Sequence, residues 1–121
     1  MEIRIKRVYE EPSDGDGLRI LVDRSWPRGI KKAELPFDIW LKTVSPSDEI
    51  KKLFHQDPDG YWSSFHDKYK EELRQSPAFN DFIAQLQKAN PSVVTLLFAF
   101  RNKLKNHALV LKEAIEERIN D

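Results

Sequence analysis

Residues 93–100 read VVTLLFAF, the longest apolar run in the chain. The run is too short to cross a bilayer as a helix, which takes about 20 residues. Asn90-Pro91 breaks the pattern before it, and a polar segment of residues 101–106 follows. A strand apolar on both faces belongs at the centre of a parallel sheet covered by helices. The run therefore predicts an α/β fold, and the flanking sequence is read against that expectation.

Upstream, four helices are expected. Ser76-Pro77 caps one whose stripe is Phe79, Phe82, Ile83 and Leu86. Tyr61, Phe65, Tyr69 and Leu73 mark another, beyond an Asp57-Pro58-Asp59-Gly60 turn. Ser45-Pro46 with Asp48 opens a third, with Ile50, Leu53 and Phe54 facing inward. Pro36 suits a first turn, and Phe37, Trp40, Leu41 and Val44 recur at i, i+3, i+4, i+7, which predicts a helix there as well. Downstream, Ala108, Leu111, Ala114, Ile115 and Ile119 describe a closing amphipathic helix with Asn106 as its N-cap.

At the start of the chain, Ile3 and Ile5 alternate with Arg4 and Lys6, the pattern of a half-exposed strand. Residues 10–17 (EEPSDGDG) carry turn chemistry, and Leu18, Ile20, Leu21 and Val22 form a second strand ending at Asp23. The order is then strand, strand, four helices, strand, helix: one small α/β domain over residues 1–121, with a short, mainly parallel sheet flanked by helices. The helical stretch before the third strand is ample for a crossover, so strands two and three are expected to be parallel. The link between the first two strands is short, and its length favours antiparallel pairing.

Composition narrows the function classes. Hydrophobic residues make up 40% and charged residues 33% of 121 residues, which suits a globular protein. Lys+Arg and Asp+Glu balance at 20 each, so no general attraction to nucleic acid or anionic lipid is expected, although a local basic patch is compatible with that balance. Cysteine is absent, which removes disulfides, thiolate metal sites and cysteine nucleophiles. The opening MEIRIKRVYE lacks a signal-peptide apolar stretch, and a cytoplasmic location is expected.

In open parallel sheets ligands bind beyond the carboxyl ends of the strands. Two polar segments leave the core at such ends: residues 23–28 (DRSWPR) and residues 101–107 (RNKLKNH). Arginine pairs with phosphate or carboxylate in two-point fashion, and a helix start adds free N–H groups. Arg24, Arg28, Arg101 and Asn106 are accordingly the candidate anion-binding residues, with Asp23 and His107 as candidates for proton transfer. Each has a plainer alternative. Asp23 and Arg24 would form a structural ion pair or a helix cap, Arg28 with Lys31 and Lys32 a solvated turn, His107 a packing histidine, and Trp26 a lid on the core.

His55, His66 and His107 show no familiar metal-ligand spacing, so no metal is expected. Neither a phosphate loop, a dinucleotide fingerprint nor a Gly-x-Ser-x-Gly elbow occurs, and no cofactor is implied.

Residues 5–30, with residues 37–73 and 94–115, resemble the YeaO-like family of small bacterial proteins, a DUF488-type domain of unknown function. The VDR-x-WPRG and NHA-x-VL blocks carry the likeness most specifically. The resemblance implies a single Rossmann-like α/β domain. It also implies a shortened crossover between the first two strands, making all three strands parallel against the length argument. The polar residues it would share fall on Lys6, Arg7, Asp23, Arg24, Pro27, Arg28, Gly29, Asn106 and His107. This chain departs from the family in one loop, where Asn102 replaces an acid and Lys105 a histidine. If those residues do chemistry in relatives, this chain would bind without reacting or prefer a more anionic ligand.

The expectation is a phosphate-bearing or nucleotide-like anion held at the strand ends, with hydrolase or transferase activity left open. The rival is a non-enzymatic accessory module for ligands or nucleic acid, and a third reading makes the arginines structural. A small anionic ligand is the expected partner, with nucleic acid behind it and no membrane. Monomer and weak homodimer both remain open.

Overall fold

The apolar run forms the strand it predicts, and that strand is central. The computed structural model describes residues 1–120. Among them the order is β1 (Glu2–Arg7), β2 (Leu18–Leu21), β3 (Ile39–Trp40), α1 (Asp48–Gln56), α2 (Pro58–Arg74), α3 (Pro77–Ala89), β4 (Val93–Phe98) and α4 (His107–Ile119). The four strands lie in the order β1-β4-β2-β3, and each neighbouring pair is parallel. The protein is thus an α/β fold with β4 flanked on both sides.

Alternation along β4 divides the interior in two. Val94, Leu96 and Phe98 join Ile3, Ile20 and Val22 in the main core, where buried residues of all four helices meet them. Leu97 turns to the other face and packs with Val8, Leu21 and Leu35. Irregular segments add Trp26 and Ile30 to that second face, and β3 adds Trp40.

Two expectations about the path of the chain are corrected. The Pro36 helix does not form. After a 3-10 turn at Lys32–Glu34, the chain runs alongside β2 as the short strand β3. Asp38 N donates to Arg19 O (2.8 Å) and Leu41 N to Leu21 O (2.8 Å), so the backbone groups a helix would have satisfied extend the sheet instead. The i, i+3, i+4, i+7 pattern was no single stripe: Trp40 packs in the second cluster, Leu41 and Val44 in the main core, and Phe37 stays exposed. Pro36 also holds Leu35 in the extended region.

The second correction concerns the link between β1 and β2. These strands never pair, because β4 lies between them, and both run parallel to it. The link doubles back tightly over β4. Thr95 Oγ1 donates to Asp16 O (2.6 Å), and Gly17, at φ 63°, passes so close that a Cβ there would sit 2.3 Å from Val93 O. The crossover implied by the family resemblance holds, while the length argument fails.

α2, α3 and α4 start at side-chain caps, whereas the N-cap of α1, Ser47, makes no such bond. Ser76 Oγ accepts from Phe79 N (3.1 Å), and Asp57, in the expected turn, caps α2 through Gly60 N (3.1 Å). Leu53, expected inside, is exposed, leaving Ile50 and Phe54 as the buried face of α1. No helix of the described residues is long and apolar enough to cross a membrane.

Candidate functional site

Beyond the carboxyl ends of β2 and β4 the backbone leaves the sheet at Asp23 and Ala99, and one carboxylate ties the exits together. Asp23 Oδ2 accepts from Ala99 N (2.9 Å), and its backbone oxygen accepts from Trp40 Nε1 (2.7 Å). His107, the first residue of α4, brings Nε2 to 2.8 Å from Asp23 Oδ1. Asp23 Oδ1 is buried and accepts no directed hydrogen bond, so the His107 imidazole is the group that faces it. Arg7 secures the exit of β4 by donating to Ala99 O and Phe100 O, both at 3.0 Å.

These exits border a cavity of about 440 Å³. Phe54, Phe65 and Phe100 give it an aromatic floor, and Trp26 and Pro27 one wall. Arg24, Arg28, Lys51 and Arg101 supply cations, with Asp23, His55 and His107 alongside. The His55 ring stacks on Phe100 (5.0 Å, 16°). Burial holds its pKa below the ordinary histidine value, and the charges of Lys51 and His107 push the same way against Asp23. His55 is therefore mainly neutral at pH 7.

Five of the six residues singled out from the sequence line the cavity: Asp23, Arg24, Arg28, Arg101 and His107. Asn106 does not. It is fully buried, its Oδ1 accepts from Leu109 N (2.8 Å) and its Nδ2 donates to Asn102 O (3.0 Å), so it acts by fixing where His107 starts the helix. Arg24 is partly engaged, donating to Asp48 Oδ1 (2.8 Å) and Pro46 O (3.1 Å), so its ion pair is with α1 rather than with Asp23. Arg28 is exposed, and its carbonyl accepts from Tyr9 OH (3.0 Å). Trp26 is a lid and a cavity wall at once, set edge-on to Trp40 (5.5 Å).

Sequence reading missed Lys51, His55 and Tyr9. The first two stand four apart on α1, each next to a buried residue of the Ile50/Phe54 stripe. Residues bordering a helix's buried stripe sit where the core opens, and that was the available signal. Asn102 and Lys105 both serve local structure. Asn102 Oδ1 accepts from Leu104 N (2.9 Å) and Lys105 N (3.1 Å), and Lys105 Nζ reaches Asp59 Oδ1 (2.7 Å). Among the described residues no three His, Asp or Glu side chains are grouped for metal ligation.

Residues 2–121 match the family model DUF488-N3i, described as the "Inactive DUF488-N3 subclade". The uncharacterized protein YeaO of Escherichia coli K12 is 44% identical over 113 residues, covering 93% of this chain and 96% of its own. The uncharacterized protein Rv3073c of Mycobacterium tuberculosis H37Rv is 40% identical over 117 residues, covering 96% and 95%. No solved structure matches the chain significantly. With whole-length matches to both the family model and these relatives, the chain belongs to the YeaO-like DUF488 family.

Proposed function

We propose that this protein binds a phosphate-bearing, nucleotide-like anion at the carboxyl ends of β2 and β4 and holds it without turnover. The observation that carries the reading is the make-up of the cavity wall. Arg24, Arg28, Lys51 and Arg101 contribute four cations. The lone carboxylate, Asp23, already faces His107 and the Ala99 N–H. A cavity of about 440 Å³ is of ligand size, and its lining pairs these cations with the partly buried Phe100 ring and the buried rings of Phe54 and Phe65. Binding without reaction is favoured by the family description "inactive" and by Asn102 and Lys105, which stand where an acid and a histidine were expected. A cytoplasmic nucleotide pool is the setting this reading implies.

A thermal-shift screen tests it. A nucleoside monophosphate at about a hundredfold its Kd should add about 2.7 kcal/mol of stability. Arg101→Ala should remove most of that gain while leaving the unliganded melting temperature unchanged, because Arg101 is exposed. Failure of every nucleotide and sugar phosphate to stabilise the protein would end this reading.

One observation favours a second reading, hydrolysis or group transfer. Asp23 and His107 form a carboxylate–imidazole pair at 2.8 Å on the cavity wall, as an acid–base catalyst requires. It predicts that His107→Ala abolishes turnover of a phosphoester or glycosidic substrate. Unaltered turnover in that variant rules out proton transfer by His107.

A further inference from the structure

The cavity does not end at Trp26. One side of that indole lines the cavity, and the ring also meets Trp40 (5.5 Å) and Phe37 (5.8 Å). Phe37 is 36% exposed, so an aromatic surface continues outward from the cavity wall. Cations accompany it. Lys32 Nζ lies 5.9 Å from the Trp26 ring and 6.0 Å from the Trp40 ring, and Lys42 Nζ lies 3.9 Å from Trp40. Residues 24–33 contain Arg24, Arg28, Lys31 and Lys32 and no carboxylate, although the whole chain is neutral. Arg28, Lys31 and Lys32 are all exposed.

A free mononucleotide would be satisfied inside the cavity and would use neither Lys31, Lys32 nor Phe37. Cations set beside the exposed Phe37 and the half-buried Trp26 suit a single strand, with phosphates on the cations and a base on a ring. We propose that the cavity receives the terminal nucleotide of a single-stranded nucleic acid, and that the following nucleotides cross Trp26 onto the surface of Lys31, Lys32 and Phe37. This rests on the nucleotide reading of the cavity and names the molecule that brings the nucleotide.

The test compares thymidine 5′-monophosphate with 5′-phosphorylated hexathymidylate by calorimetry on the full chain. Stacking of even one further base should tighten the oligomer by about fivefold or more. That gain should shrink as salt rises. Lys31→Glu/Lys32→Glu should abolish the gain while leaving monophosphate affinity unchanged, and Phe37→Ala, at an exposed position, should reduce it in the same selective way. Equal affinities for the two ligands would overturn this inference and leave the mononucleotide reading standing. Equal tightening by inorganic polyphosphate would also overturn it, by assigning the track to charge alone. Binding of neither thymidine ligand would remove both proposals.

Discussion

Asp16→Ala should cost about 3 kcal/mol of stability, the lower end of what breaking a buried ion pair costs, read by urea unfolding. Asp16 is only 5% exposed. Its carboxylate accepts from Lys6 Nζ at 3.1 Å, from Ser13 N at 3.0 Å and from Arg19 Nη1. Arg19 is itself buried, at 7% exposure, with its Nε spent on Pro36 O (2.7 Å). Removing the acid would leave a guanidinium in the interior without its counter-charge. The lower end is chosen because Lys6 is partly exposed, so water softens part of the loss. Asp16→Asn separates the terms: it keeps one acceptor and should recover part of the stability. A cost below 1 kcal/mol for the alanine variant would show that water replaces the carboxylate.

The same cluster sets an acid limit. Burial pushes the Asp16 pKa up, but the Ser13 N–H, Lys6 and Arg19 together outweigh it, and the net shift is downward. A carboxylate with a depressed folded pKa contributes stability above its unfolded value and loses that contribution as pH falls through the folded one. Wild type should therefore lose stability below the ordinary carboxylate range, and Asp16→Ala should show a flatter acid limb.

This cluster also shows why the crossover was hard to read from sequence. A loop of turn residues gives no sign of direction, and length favoured a hairpin. What decides the path is long-range: Thr95 on β4 donates to Asp16 O, and Lys6 on β1 reaches the Asp16 carboxylate, so the loop is drawn back over the sheet. The central strand, by contrast, was legible because residues 93–98 carry their burial in their own composition. The Pro36 segment failed for a related reason. Spacing cannot tell one stripe from residues shared between two cores, and its backbone went to an open edge of β2. The cavity was legible where it sits on strand exits, at Asp23, Arg24, Arg28, Arg101 and His107. Its α1 side was not, since Lys51 and His55 look like ordinary helix charges until α1 is placed over Phe100.

Phe54→Ala should cost about 3–5 kcal/mol, the usual range for deleting a buried phenyl ring. Phe54 is 2% exposed and joins the main core to the cavity floor. Its ring stacks on Phe65 (4.3 Å, 18°) and meets Phe100 (5.3 Å), Trp62 (5.8 Å) and His55 (5.9 Å). Truncation removes these contacts together and lets the cavity run into the space between α1 and α2. Two measurements separate packing from binding. Urea unfolding should show a lower midpoint at an unchanged slope, as expected when the native state is weakened without being expanded. Phe54→Leu should recover much of the stability by refilling the volume, yet nucleoside monophosphate binding should stay weaker than wild type, because leucine no longer holds the Phe65 and Phe100 rings in place at the cavity. If Phe54→Leu binds nucleotide as well as wild type, the aromatic floor takes no part in recognition, and the ligand is held by the cations alone.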